Sequence, residues 1–153
     1  MNRTELLLRV GSTRIEEVAV DAPVARAAVS RYFAELGERF GFVPGAPDTE
    51  GRFFIAVERG APVACGGVRP LADGRAELKR LWVDPAWRGS GLGSRMLRHV
   101  EEAAEADGRT ELVLDTKAGL VEAVALYERA GYHRIDRYND NPDAELFFAK
   151  RLR

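Results

Sequence analysis

Cysteine is nearly absent from this chain: Cys65 is the one thiol among 153 residues, which excludes an internal disulfide and any metal site built from paired thiolates, and suits a reducing compartment. Histidine is almost as scarce. His99 and His133 stand in no triad-like pattern, so each reads as an exposed or capping side chain, and no metal is expected. Neither charge is in excess, with 23 basic residues against 24 acidic and a net charge of -1, so there is no broad positive field for a phosphate backbone and nucleic acid is not an expected partner. No run of like charge exceeds a few residues, and the arginines read as solvated surface. Long apolar runs are missing too. Nothing approaches the roughly 20 apolar residues of a membrane span, and residues 1–10 lack an unbroken apolar segment behind a basic start, so the expectation is a cytoplasmic protein without membrane contact.

What is present is the composition of a soluble globular protein, 46% hydrophobic and 31% charged, at the length of one domain spanning 1–153. Asp21-Ala22-Pro23 predicts a helix start with an acidic N-cap, and Val29, Phe33, Leu36 and Phe40 then recur at helical spacing to about residue 40. Two prolines and three glycines make 41–51 a surface loop. Strands are predicted over 53–58, 62–69 and 76–83, separated by turns at Arg59-Gly60-Ala61 and Ala72-Asp73-Gly74, as an antiparallel meander. From Gly91 the apolar period lengthens: Leu92, Met96, Leu97, Val100, Ala103 and Ala104 share one face of a helix ending near Asp107-Gly108. A strand over 111–115, a helix over 121–130 capped by Gly131, and strands over 132–137 and 145–152 around an Asn139-Asp140-Asn141-Pro142 turn complete an α+β reading.

The informative segment is Val83-Asp84-Pro85-Ala86-Trp87-Arg88-Gly89-Ser90-Gly91-Leu92-Gly93, which leaves a strand and enters a helix through alternating glycines. Glycine lets backbone N–H groups turn inward, and several free N–H groups at a helix start form a site for a pyrophosphate. Each hydrogen bond to a charged group contributes about 1.5–3 kcal/mol, against about 0.3–1 kcal/mol for the helix dipole, so the amides dominate. The same glycines also suit a plain tight turn. A dinucleotide fold would place such a loop after the first strand of a βαβ unit, and a nucleotide-phosphate loop would end Gly-Lys-Ser/Thr; this loop instead follows an antiparallel meander.

Arg88-Gly89-Ser90-Gly91-Leu92-Gly93 resembles the Gln/Arg-x-x-Gly-x-Gly/Ala loop of the GNAT acetyltransferase superfamily. The preceding Ala76-Glu77-Leu78-Lys79-Arg80-Leu81-Trp82-Val83 is similar to that family's fourth strand, and residues 123–132 resemble its fourth helix and turn. The resemblance runs from about Phe53 to the end and is weak before it. It implies a mixed, mostly antiparallel, V-shaped sheet flanked by about four helices, with acetyl coenzyme A lying between splayed fourth and fifth strands. The implied cofactor contacts are Leu81, Trp82 and Val83 along the arm, the loop from Arg88 through Gly89, Ser90, Gly91, Leu92, Gly93 and Ser94 at the pyrophosphate, and Tyr127. An asparagine common in the helix is replaced here by Leu120, so one contact to the arm is expected to be missing.

The resemblance further implies acetyl transfer to a primary amine by direct attack. Leu81 would present its N–H to the thioester carbonyl. Glu77 stands at the strand position of a catalytic glutamate and is the expected general base, with a surface carboxylate paired to Lys79 or Arg80 as the structural alternative. Tyr127 occupies the position of a phenol that serves the leaving thiolate, although helical periodicity alone makes it a core residue. Cys65 in an apolar strand reads as packing rather than an acyl carrier, and Trp87 as packing that sets the loop's angle of approach. The acceptor wall is expected among Tyr32, Glu35, Phe40, Phe42, Tyr138, Asn139 and Asn141, where acidic Glu35 and Asp140 suit a cationic amine. A homodimer through the last strands, a non-catalytic acyl coenzyme A sensor and a bulkier acyl donor all remain open at this stage.

Overall fold

The computed structural model describes residues 1–41 and 50–153. Helix α1 (Arg3–Ser12) begins at Asn2 through a reciprocal cap: the Asn2 side chain accepts from the Glu5 amide at 2.9 Å, and the Glu5 carboxylate accepts from the Asn2 amide at 3.3 Å. Strand β1 (Ile15–Val18) follows, then helix α2 (Pro23–Phe40). Asp21 is not its cap. Ala22 takes that position without a side-chain hydrogen bond, and Pro23 sets the start alone because its fixed φ suits the first turn.

The meander is β2 (Arg52–Glu58), β3 (Ala61–Pro70) and β4 (Arg75–Val83), joined by two turns in which Arg59-Gly60 and Asp73-Gly74 all have positive φ, the hand that matches strand twist. After a short turn at Pro85–Trp87 come α3 (Leu92–Ala106), β5 (Glu111–Thr116), α4 (Val121–Arg129), β6 (His133–Arg134) and β7 (Leu146–Arg151). The seven strands lie in the order β1-β2-β3-β4-β5-β7-β6, and only β4 and β5 run parallel, because α3 carries the chain back across the sheet before β5 begins. This is the expected mixed α+β fold. The penultimate strand is shorter than 132–137, because Arg137 draws the chain into a curl by donating to the carbonyls of Asn139, Asn141 and Ala144.

The two-residue period of the strands divides the core between the sheet's faces. Phe54, Ala56, Ala64, Val68 and Leu78 meet Met96, Leu97 and Val100 of α3, while Phe53, Ile55, Cys65 and Trp82 meet Ala25 and Ala28 of α2. Full burial of a side chain such as Met96 or Leu97 contributes about 1.5–3 kcal/mol, which makes α3 the best-anchored helix. Among the described residues, no helix is long and apolar enough to cross a membrane.

What positions the site is the end of one ladder. β4 and β5 pair at three rungs, Arg75 with Glu111, Ala76 with Leu112 and Glu77 with Val113, and then part. Beyond Glu77, β4 stays with β3 and β5 stays with β7, so a gap opens between them.

Candidate active site

A bulge reshapes β4 where the gap opens. Between the pairs Cys65–Trp82 and Gly67–Lys79, the single β3 residue Gly66 faces two residues of β4, Arg80 and Leu81. Arg80 has φ of 58°, a left-handed conformation that costs a non-glycine residue about 1–2 kcal/mol. Among the contacts that hold it there, the Cys65 thiol donates to the Arg80 carbonyl at 3.2 Å, and the guanidinium stands 4.5 Å over the Phe33 ring. Burial pushes the Cys65 thiol up to about 12, so it stays a neutral donor.

The glycine loop closes one end of the gap. Asp84 accepts from the Ala86 amide at 2.8 Å and pairs with Arg31, Trp87 is buried, and Gly91 caps α3 with φ of 90°. A Cβ on Gly91 would touch nothing within 4 Å, so glycine is needed there for its φ. Gly93 answers a different demand, since a Cβ there would lie 3.2 Å from Leu126 and 3.4 Å from Val83. Among the described residues, the amides of Gly89, Ser90, Gly91, Gly93 and Ser94 have no acceptor, while that of Leu92 reaches the Ser90 hydroxyl at 3.4 Å. Unspent donors at a helix start are suited to an anion.

The resulting cleft measures about 390 Å³. Leu81, Trp82, Val83, Arg88, Gly89, Gly91, Gly93, Ser94 and Tyr127 line it; Ser90 does not, and Leu92 turns its side chain into the core. Arg88 has its charge met at the rim, where its Nη2 lies 2.7 Å from both Glu35 oxygens and its Nη1 is 3.7 Å from Glu122, while its Nε donates to the Val83 carbonyl at 3.1 Å. The Trp82 indole also donates to Glu35, at 3.1 Å. Tyr127 packs its ring against Tyr132 and Phe148, and its hydroxyl has no partner among the described residues. Burial first, then Tyr32 and Asp115, hold its pKa above the ordinary phenol value.

Two carboxylates stand near the point where the strands part. Glu77 is 1% exposed and is not among the residues lining the cleft: Arg69 donates to it at 2.7 Å, the Tyr138 hydroxyl at 2.6 Å and Asn139 at 3.4 Å. Asp115 lines the cleft. Asn139 at 2.6 Å and Asn141 at 3.4 Å both donate to its Oδ2, which leaves Oδ1 without a partner among the described residues.

Residues 19–132 match the sequence profile of the Acetyltransferase (GNAT) family. The chain belongs to the GNAT family. It is 35% identical over 82 residues to an IAA acetyltransferase of Azospirillum brasilense, covering 53% of this chain and 54% of that protein. The chain spans about half the length of the curated relatives it matches first. Its fold is that of a GNAT acetyltransferase from Staphylococcus aureus Mu50, with TM-score 0.77 at 16% identity over 92% of this chain and 100% of the other. A GNAT acetyltransferase from Elizabethkingia anophelis, solved with acetyl-CoA bound, superposes with TM-score 0.68 at 16% identity, covering 92% and 98% of the two chains.

Within this GNAT fold the expected acceptor wall is scattered. Tyr32 and Glu35 line the cleft, Phe40 packs over Gly119, and Tyr138, Asn139 and Asn141 gather around Glu77 and Asp115. Phe42 lies outside the described residues. Leu120, at the position where the family resemblance implies an asparagine, lines the cleft with an apolar side chain. Neither histidine lines the cleft: His99 packs beside Phe54 and His133 is exposed in β6. Sequence reasoning missed Asp115, although an acid closing the otherwise apolar run Leu112-Val113-Leu114 was a visible signal.

Proposed function

We propose that this chain is an acetyltransferase that carries the acetyl group of acetyl coenzyme A directly to an amine in a ternary complex. The observation that carries the reading is the open gap between β4 and β5, with unspent amides at one end and the bulged backbone of Leu81 along its side. Acetyl coenzyme A is a substrate here, and the donor-rich loop and the apolar walls suit its pyrophosphate and arm respectively.

An alkylammonium with a pKa of about 10.4 must lose a proton before it attacks, at a cost near pH 7 of about 3 units, or roughly 4 kcal/mol. Asp115 Oδ1 takes that proton through water in our reading, because it faces the cleft while Glu77 is enclosed by its donors. Glu77 then serves as a positioning residue for Tyr138 and Asn139. The Leu81 N–H stabilises the oxyanion as the amine attacks the thioester carbonyl. When the C–S bond breaks, the Tyr127 hydroxyl donates a hydrogen bond to the departing sulfur. A thiol titrates near about 8.5, well below this raised phenol, so the hydroxyl stabilises the thiolate without giving up its proton for good.

The test is a thermal-shift titration with acetyl coenzyme A, followed by thiol release over a panel of amines and with propionyl and succinyl thioesters. Ligand at about 100 times Kd stabilises the fold by about 2.7 kcal/mol. A flat melting curve at millimolar acetyl coenzyme A contradicts the cleft assignment. Stabilisation without thiol release on any amine favours a sensor instead.

A further inference from the structure

The turn Asn139-Asp140-Asn141-Pro142 supplied two residues to the expected acceptor wall, yet both asparagines are committed elsewhere, and by the same construction. The Asn139 side-chain oxygen accepts from the Asn141 amide at 3.1 Å, and the Asn141 side-chain oxygen accepts from the Asp143 amide at 3.1 Å. Each side chain closes a turn on its own backbone two residues ahead. A carboxamide has one accepting end and one donating end, so tying down the oxygen decides where the nitrogen points. Flipping either one would set N–H against N–H inside its turn. Both nitrogens therefore face the carboxylates. Asn139 Nδ2 lies 2.6 Å from Asp115 Oδ2 and 3.4 Å from Glu77 Oε2, one acceptor for each of its two hydrogens, and Asn141 Nδ2 lies 3.4 Å from the same Asp115 oxygen.

The backbone beneath these turns is braced as well. Arg137 donates to the carbonyls of Asn139 at 3.3 Å and Asn141 at 2.9 Å, so one guanidinium ties the main chain of both residues, and it stands 4.7 Å over the Phe147 ring. The Ala144 amide closes a further turn on the Asn141 carbonyl at 3.2 Å, with Pro142 at the position whose φ it presets. The Glu145 amide then joins the curl to β5 by donating at 2.9 Å to the carbonyl of Thr116, the residue after Asp115. The result is a braced arm that brings two donors to one oxygen of the carboxylate lining the cleft.

We infer that Asn139 and Asn141 are positioning residues for acetyl transfer: they hold Asp115 by Oδ2, fix the rotation of its carboxylate, and so keep Oδ1 turned to the cleft for the amine's proton. The inference rests on the acetyl-transfer reading above. The torsion that turns a carboxylate is broad and only weakly restricted by itself. Two donors converging on one oxygen remove that freedom before any substrate arrives, and proton transfer needs the accepting atom within about 2.6–3.2 Å of its donor or of one bridging water. Asn139 acts only through Asp115, since both of its N–H groups are taken by carboxylates.

A double-mutant cycle tests this, with thiol release from acetyl coenzyme A read on phenethylamine, L-phenylalanine, spermidine and a lysine-bearing peptide. Asn139→Ser removes the donors without adding charge, and its hydroxyl can still accept in the turn. Asn139→Asp keeps the turn oxygen and lacks both N–H groups. With Asp115 present, each should lower kcat on the fastest acceptor at least about fivefold, with KM for acetyl coenzyme A within about twofold. In the Asp115→Asn background the same substitutions should cost less than about twofold, because the group they position is already gone. An equal loss in both backgrounds marks a structural role and overturns the inference, as does an unchanged kcat in either variant once its melting curve shows it folded. A second readout needs no acceptor: by NMR, the Asn139 side-chain amide protons should exchange with solvent at least about tenfold more slowly in the parent than in Asp115→Ala. Equal exchange rates overturn the inference. Slow exchange in a parent that releases no thiol with any of the four acceptors removes the acetyl-transfer reading and the positioning role with it, whereas release with equal losses in the two backgrounds removes the positioning role alone.

Discussion

Tyr127 keeps its proton for the reason that made it look like a core residue: it is 5% exposed, between Tyr132 and Phe148. Its raised pKa means the hydroxyl remains a donor throughout the range in which a thiol ionises. Tyr127→Phe should therefore lower kcat by about 10- to 100-fold, the value of about 1.5–3 kcal/mol for a hydrogen bond to a charged group, with KM for acetyl coenzyme A within about twofold in steady-state thiol release. Asp115 and Glu77 can be separated by what each variant loses. Asp115→Asn should cost at least about 10-fold in kcat/KM for the acceptor near neutrality with Tm little changed. Glu77→Gln should keep kcat/KM within about threefold but lower Tm by several degrees, because the amide offers one acceptor oxygen where the carboxylate's two oxygens meet Arg69 and Tyr138, and removes the charge paired with Arg69. Turnover lost only in the Glu77 variant would reverse the assignment. From sequence, Glu77 and Lys79 alternate as if facing solvent. What encloses Glu77 is Arg69, opposite it on β3, and Tyr138 from the distant 135–145 segment, and neither is implied by the strand's own pattern.

At the scale of elements, the glycine loop separates conformational need from steric need. Gly91→Ala gains no clash but must hold φ of 90°, at about 1–2 kcal/mol, so acetyl coenzyme A affinity is expected to fall roughly tenfold while circular dichroism keeps α3 intact. Binding within twofold of the parent would show that the loop's shape is not what the ligand needs. Helices α2 to α4 and strands β2 to β5 were legible within a few residues, since each buries one face and the period changes from two to 3.6 where the chain turns from β4 into α3. α1 and β1 were not. α1 buries Leu6 and Val10 but exposes Leu7 and Leu8, so its stripe is weak; the Asn2 cap begins it, and Arg95 anchors its end by donating to the carbonyls of Val10 and Thr13. β1 reads Ile-Glu-Glu-Val, without alternation, and owes its strand to pairing with β2. The parting of β4 from β5 was legible only through family resemblance, because where a ladder stops depends on both strands' other partners.

Taken whole, the molecule is a sheet whose two parts, β1 to β4 and β5 to β6, share three rungs. Cys65 lies in the larger part at 0% exposure, with its thiol pushed up to about 12. A neutral, enclosed thiol reacts only after the fold opens, so iodoacetamide labelling should report global unfolding. Labelling in buffer is expected to be slower than in denaturant by at least about 1,000-fold, and slower again with saturating acetyl coenzyme A. Rapid labelling of the native protein would mean that the β3–β4 bulge opens by itself. Arg52 braces the same part from outside, joining Glu17 on β1 to Asp107 at the end of α3.

The kink at Arg80 and Leu81 also bears on which mutations the proposed reaction tolerates. In the proposed reaction the group opposite the thioester belongs to the peptide link of Leu81, and nineteen of the twenty encoded amino acids supply that same N–H. Only proline deletes it. Residue identity at 81 is therefore expected to be nearly silent about chemistry, whereas a one-residue deletion in the neighbouring strands should abolish turnover by re-aiming a donor that no side-chain swap can restore.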